Sequence, residues 1–354
     1  MASLIELAGR TLALEHDGPG DPLGVDGGFV LPAGRIALLH GLGDGLFYRH
    51  GQNSWSPCGW RRLSEPPLRI ADPRRRVTAD DAVWDDRCRH HSSAVAAIQG
   101  ADGNVLLLGA LGIGTPRLTA DRDTLAGWYE SGTAPWFIAY GTEDEVFEAY
   151  VAQLASRLGR NRNRAGNVWC SWYAYYEDIT EEQLGKDIAA LRGLPFDVVQ
   201  IDDGWERTVG DWEPNDKFPS GLDALAARIT AAGMTPGLWL APFIALPGSS
   251  LARNRPELLL RDTAGEPVVA GYNWGTGYYA LDVTLPAVRD HLAELIDRLV
   301  HRWGFRYLKL DFINAAAVPG VRASGTGREE SYREALALIR RTAGDDVYLL
   351  GSGA

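Results

Sequence analysis

Sulfur is scarce in this chain, with three cysteines and two methionines in 354 residues. Cys58, Cys88 and Cys170 make no CxxC pair, and an odd count makes no disulfide framework. No apolar run approaches the roughly 18–20 residues that a membrane helix needs. The opening stretch, MASLIELAGRTLALEHDG, lacks a basic segment followed by a long apolar core, so no secretory signal is read there. Positive charge is also short: 35 Lys and Arg against 46 Asp and Glu leave a formal charge of −11 and a pI of about 5.2. An acidic chain repels a polyanion on average, which argues against nucleic acid as a partner. The short basic run Arg74, Arg75 and Arg76 reads as a solvated loop. No low-complexity segment or short repeat is visible. The expectation from these absences is a cytoplasmic globular protein with no nucleic-acid or membrane partner, and a homo-oligomer is left open.

Hydrophobic residues make up 45% of the chain, enough for a sizeable core, and the length suggests two domains. Tryptophan is abundant, with twelve residues that include Trp84, Trp169, Trp172, Trp205, Trp212, Trp239 and Trp274. Core packing accounts for many of them. A flat indole also suits the apolar face of a sugar ring.

Residues 1–141 carry short apolar runs between turn signals, such as Arg35 to His40 and Trp136 to Tyr140. Ala94–Ile98 and Val105–Leu108 flank Asp102-Gly103, a hairpin signature. This part reads as an N-terminal antiparallel β-sandwich. Residues 142–166 read as a linker helix and boundary. Thr142 and Glu145 form a capping box, Val146, Tyr150 and Leu154 share one helical face, and a polar stretch follows from Arg160 to Gly166. From residue 167 strands and helices alternate, the signature of a parallel sheet covered by helices. Strands are expected at Asn167–Tyr173, Phe196–Ile201, Pro236–Phe243, Tyr307–Phe312 and Val347–Leu350, and Tyr278–Leu281 reads as an extra strand or a rim loop. Five strands make an incomplete (β/α)8 TIM barrel, and the expectation is of a fragment or truncated product.

Polar residues gather where these strands end, the active-site face of such a barrel. Asp202-Asp203-Gly204-Trp205 closes one strand; buried acids need partners, which sugar hydroxyls or a metal could supply. Trp205, and the lack of a nearby His, favour the sugar. Lys309 and Asp311 are two apart on a strand, so both face one side. The lysine charge would keep Asp311 ionised, as the nucleophile of a retaining glycosidase requires. Trp239, near another strand end, reads as a stacking wall, and of Trp169 and Trp172 the second is preferred for the pocket. Trp212 lies in a rim loop, where it either adds to the pocket or pins the loop.

Taken in order, Trp172, Asp202-Asp203-Gly204-Trp205, Gly210-Asp211-Trp212, Lys217-Phe218-Pro219, Gly237-Leu238-Trp239, Leu281-Asp282 and Lys309-Leu310-Asp311 resemble family 36 of the clan D glycoside hydrolases, the α-galactosidase (melibiase) type. Gly51 to Ser56 looks like a recurring loop of that family's N-terminal domain. The resemblance implies hydrolysis of terminal α-linked galactose from oligosaccharides, without a metal or organic cofactor. It implies Asp311 as nucleophile, Lys309 on sugar hydroxyls, Asp202 and Asp203 on the O4 and O6 hydroxyls, and Trp239 lining the pocket. The family's Cys-Ser-Gly segment stands here as Gly351-Ser352-Gly353, which makes Ser352 a candidate sugar contact. The acid/base Asp is implied beyond Ala354. Alternatives are a galactosyl transferase of the raffinose-synthase type, an α-N-acetylgalactosaminidase, a non-catalytic sugar-binding module, or a metal-dependent hydrolase built on Asp202 and Asp203.

Overall fold

The computed structural model describes residues 2–31, 34–70, 72–76, 86–159 and 164–354. Trp84 and residues 160–163 of the polar stretch lie outside them. The chain divides into two compact units, residues 1–161 and 162–354.

The first unit is built on two antiparallel sheets. One has six strands, in the order Ala2–Leu7, Arg10–His16, Ile36–Leu39, Thr124–Tyr129, Pro116–Ala120 and His90–Ser93. The other has seven: Leu23–Val25, Gly28–Leu31, Trp136–Gly141, Val105–Ala110, Val95–Gln99, Leu46–Arg49 and Gly59–Arg62. Period-two alternation sends Leu12, Leu14, Ile36, Leu38 and Leu125 of the first sheet into one apolar core with Ile98, Leu106, Leu108, Trp136 and Ile138 of the second. The second sheet is apolar on its other face as well, where Val105, Leu107, Phe137 and Ala139 meet Val146 and Tyr150. Those two residues belong to the helix Glu143–Leu158, which opens with the Thr142–Glu145 capping box. Expected as a linker, this helix instead forms a packed layer, because its apolar stripe completes the outer core of the sheet. The Tyr150 hydroxyl donates to the Ala110 carbonyl at 2.9 Å.

The second unit holds five parallel strands, adjacent in chain order: Val168–Cys170, Thr235–Leu240 after Val198–Ile201, then Tyr307–Leu310 and Tyr348–Gly351. Helices Glu181–Leu191, Leu222–Ala231, Pro286–Asp297 and Arg328–Ala343 fall between them. Val199, Ile201, Leu238, Leu240, Leu308 and Leu310 share one core with Leu184, Ile188, Leu225, Ile229, Leu292 and Ile339 of the helices. Each such fully buried aliphatic side chain stabilises the layer by about 1.5–3 kcal/mol. By the same alternation the opposite row holds Val198 and Gln200 on the second strand, Gly237 and Trp239 on the third, and Tyr307 and Lys309 on the fourth.

One expectation is corrected, and of the two readings of Tyr278–Leu281 the extra strand is the one found. The first strand stops at Cys170, and Trp172 begins a four-residue helix, Trp172–Tyr175, instead of extending the strand. The long gap before Tyr307 contains a three-stranded antiparallel sheet, Ile244–Ala245, Thr276–Ala280 and Val269–Asn273, whose hairpin turns at Trp274-Gly275. Among the described residues no helix is long and apolar enough to cross a membrane.

Candidate active site

The second strand runs on from Ile201 into Asp202 and Asp203, both almost wholly buried at 2% and 4% exposure. Gly204 follows at φ +108°, and a Cβ there would stand 2.4 Å from the Glu177 carbonyl oxygen. Only glycine lets the chain turn this sharply against a neighbouring backbone.

Asp202 is the centre of a buried network. Its Oδ2 accepts from Lys309 Nζ at 2.9 Å, from the Cys170 thiol at 3.3 Å and from the Gln200 amide. Its backbone N–H donates to Ser171 Oγ at 2.9 Å. Burial, followed by the Asp202 charge, pushes the Cys170 thiol up to about 12, so it serves as a donor. Burial alone would lower the Lys309 pKa, but the charge and hydrogen bond of Asp202 outweigh it and hold the lysine above its usual range. The lysine expected beside Asp311 is thus hydrogen-bonded to Asp202. The parallel register carries Asp202, Trp239 and Lys309 to one level, and Gly237 lies beside Gln200 and Tyr307, where a Cβ would stand 3.1 and 3.0 Å from their atoms.

Asp311 extends the fourth strand. Trp239 Nε1 donates to its Oδ2 at 3.1 Å, and the Phe312 N–H donates to its Oδ1 at 2.8 Å. Phe312 itself is left-handed at φ +50°, an uncommon conformation for a bulky residue. Trp239 is only 2% exposed, so it meets the site through its N–H and not as an open stacking wall. Trp205 is 0% exposed and gives its N–H to the Trp239 carbonyl at 2.9 Å; it supports Trp239 from behind and offers no edge to a ligand. Trp212 is likewise buried, packed against both Trp205 and Trp239, which settles its role as a core pin. Trp172 is half-buried and lies edge-on to Tyr176. Ser352 continues past the fifth strand, its N–H donating to the Leu310 carbonyl at 2.8 Å.

Several residues of the site carry no assignment from sequence. Trp274 reaches in from the hairpin and donates to Asp203 Oδ2 at 2.9 Å. Glu206, 8% exposed, is hydrogen-bonded to Asp203. Burial, then the charge of Asp203, pushes Glu206 up to about 9, and burial chiefly holds Asp203 above the usual carboxylate range. Gln200 could have been found from strand period, two residues before Asp202. Cys170 and Trp274 reach the acids from 32 and 71 residues away, distances over which no local pattern operates. Among the described residues, no group of three or more His, Cys, Asp or Glu is placed to hold a metal ion. The arrangement can therefore orient one carboxylate, Asp311, beside a set of fixed donors and acceptors suited to a polyhydroxylated ring.

Comparison with known proteins agrees with that chemistry. The melibiase family model matches residues 141–343. The α-galactosidase TtGalA of Thermus thermophilus, solved with p-nitrophenyl α-D-galactopyranoside, is 40% identical with a TM-score of 0.90, covering 100% of this chain and 71% of that one. The α-galactosidase AgaA of Geobacillus stearothermophilus is 30% identical over 214 residues, which is 56% of this chain but only 28% of AgaA. A solved structure of AgaA, a family 36 enzyme, shares the fold at a TM-score of 0.65, with 17% identity over 97% of this chain and 54% of that one. The chain belongs to the melibiase family, the α-galactosidase type of glycoside hydrolase family 36.

Proposed function

We propose that the protein is a retaining α-galactosidase that releases terminal α-linked galactose from oligosaccharides. The observation that carries this reading is Asp311: a carboxylate at the end of a parallel strand, with a separate donor on each oxygen. Both donors orient it for attack on an anomeric carbon. The C–O bond to the leaving sugar breaks as the Asp311–C1 bond forms, and water then releases galactose with its anomeric configuration retained. Lys309 and Asp202 act as a paired donor and acceptor for ring hydroxyls, and Asp203 takes a further hydroxyl. Trp172, in the short helix after the first strand, and Ser352, just past the fifth, are half-buried and add to the rim. We assign the acid/base carboxyl to a later strand, following the family pattern. The five strands, paired in chain order with one row facing the helices, are read as part of a (β/α)8 barrel following a β-sandwich domain. The complex of TtGalA with stachyose points to raffinose-type oligosaccharides as the substrate class. We also place the protein in the cytoplasm, since its three cysteines are unpaired.

The test is hydrolysis of p-nitrophenyl α-D-galactopyranoside by the full-length protein, which would carry the later-strand acid/base, and by its Asp311→Asn variant, with the first-formed galactose anomer followed by NMR. Loss of turnover with an unchanged circular dichroism spectrum, and an α-anomer from wild type, are expected. Activity of Asp311→Asn within about tenfold of wild type, a barrier change of only ~1.4 kcal/mol, would refute the assignment.

A further inference from the structure

Glu206 is a buried acid that the reaction scheme above does not use. It follows the Asp202-Asp203-Gly204-Trp205 turn, and its position is built rather than incidental. Its backbone bridges Pro214, and Asn215 Nδ2 donates to the carbonyls of both Gly204 and Glu206 at 2.9 and 3.1 Å. The Gly204 N–H donates to Glu206 Oε2 at 3.3 Å. The side chain is thereby directed back onto Asp203. A cavity of about 280 Å³ borders both acids, with Trp274 on its wall.

Two carboxylates in hydrogen-bond contact cannot both ionise cheaply in a buried site. The surroundings supply little compensation. Asp202 and Arg207 flank the pair on its own segment, Glu177 faces it from the preceding loop, and Lys217 from the following one. The Lys217 ammonium is engaged with the Glu177 carbonyl at 2.9 Å, and Lys309 with Asp202. Among the described residues, no Lys or Arg is ion-paired with Asp203 or Glu206.

We infer that Glu206 is a positioning residue for sugar binding: it holds a proton, donates that O–H to Asp203, and so presents Asp203 to a sugar hydroxyl as an oriented carboxylate. Together with Trp274 it clamps Asp203 from two sides and leaves the remaining lone pairs for the ligand. This rests on the galactoside reading above. Removal of the proton puts a second negative charge against Asp203 and deletes the donor, so binding weakens as Glu206 ionises. The high folded-state value near 9 places that loss in alkaline solution.

The experiment is isothermal titration of the whole protein with galactose between about pH 6 and 10, using wild type, Glu206→Gln and Glu206→Ala. Galactose does not titrate in this window, and Lys309, held above the ordinary lysine value of 10.5, stays charged. Wild-type Kd is expected to be flat to about pH 8 and to weaken about tenfold by pH 10, as linkage to one proton requires. Glu206→Gln keeps an N–H donor without a titrating proton, so its Kd should stay within about threefold of wild type at pH 7 and remain flat to pH 10. Glu206→Ala should bind about tenfold more weakly at pH 7, one lost charge-assisted hydrogen bond. The same alkaline loss in Glu206→Gln as in wild type overturns the inference, as does a wild-type Kd that does not vary with pH. Wild type that fails to bind galactose at pH 7 sinks the galactoside reading itself. If Glu206→Ala does not fold, the Glu206→Gln profile alone decides.

Discussion

Replacing Lys309 with methionine tests the electrostatic heart of the site. Methionine keeps much of the stem and deletes the ammonium that sits 2.9 Å from Asp202 Oδ2. Asp202 is 2% exposed, so water compensates poorly for the lost cation. Breaking a buried pair from one side costs about 3–5 kcal/mol, because an uncompensated charge remains. Here the Cys170 thiol and Gln200 amide still donate to the stranded oxygen, which places the expectation near 3 kcal/mol. Adding Asp202→Asn removes the stranded charge, so the double variant should recover about 2 kcal/mol relative to Lys309→Met alone. The assay is guanidinium unfolding followed by tryptophan fluorescence, which reports the second unit through the packed Trp205, Trp212, Trp239 and Trp303 rings. The pH dependence has a fixed sign. Lys309 has a raised pKa in the folded protein, so the pair's contribution is complete below the unfolded lysine value and fades as pH rises through the higher folded one. The gap between wild type and Lys309→Met should therefore be level from neutrality to about pH 10 and close only above it. A loss smaller than about 1 kcal/mol, the range of an exposed pair, would refute the reasoning.

The other expectations are narrower. Trp239→Phe keeps an aromatic ring and removes the one side-chain donor that, among the described residues, reaches Asp311 Oδ2; kcat should fall about ten- to a hundredfold, the worth of a hydrogen bond to a charged group, while the smaller ring lowers the melting temperature without unfolding the protein at about 25 °C. A kcat equal to wild type would show that the indole N–H does not orient the nucleophile. Alkylation with iodoacetamide at about pH 8, read by mass spectrometry, should modify the exposed Cys58 and Cys88 and spare Cys170, whose thiol is held up to about 12. Prompt modification of Cys170 in the folded protein would contradict its role as a donor to Asp202.

Much of the second unit could be read locally because its signals are local. The Thr180 cap accepts from Gln183, glycines at positive φ follow the helices at Gly233, Gly304 and Gly344, and continuous apolar runs mark strands buried on both faces. Strand period also put Lys309 and Asp311 on one face. What period cannot state is which neighbour a long side chain reaches. Lys309 was expected to serve Asp311, yet its ammonium lies on Asp202, 107 residues away. The tryptophans show a similar limit. Trp205 and Trp239 have the composition of a sugar platform, but both are buried, and what each supplies is an N–H donated to a carbonyl or a carboxylate. A packed interior decides such roles through contacts made across the chain, and residue type alone does not distinguish a wall from a buttress.

The charges at the strand ends lead to one further step. Four acids stand at the strand ends, Asp202, Asp203, Glu206 and Asp311, and among the described residues Lys309 is the one cation hydrogen-bonded to any of them. Lys309 neutralises Asp202. The Asp203–Glu206 pair, short of one proton, carries one negative charge, and Asp311 carries another. These five side chains together therefore carry an excess of negative charge, although the individual acids are restrained by fixed donors. A retaining glycosidase passes through an oxocarbenium-like transition state, in which positive charge develops on the sugar ring. Preorganised charge of the opposite sign stabilises that species more than the neutral ground state. The lysine and the retained proton limit the excess to what the fold tolerates, while Asp311, which forms no salt bridge among the described residues, stays available to form a bond. On this view the pairing of Lys309 with Asp202 instead of Asp311 matters to the chemistry: a nucleophile tied to a cation would be less reactive, whereas one held by an indole N–H and a backbone N–H is oriented without being quenched.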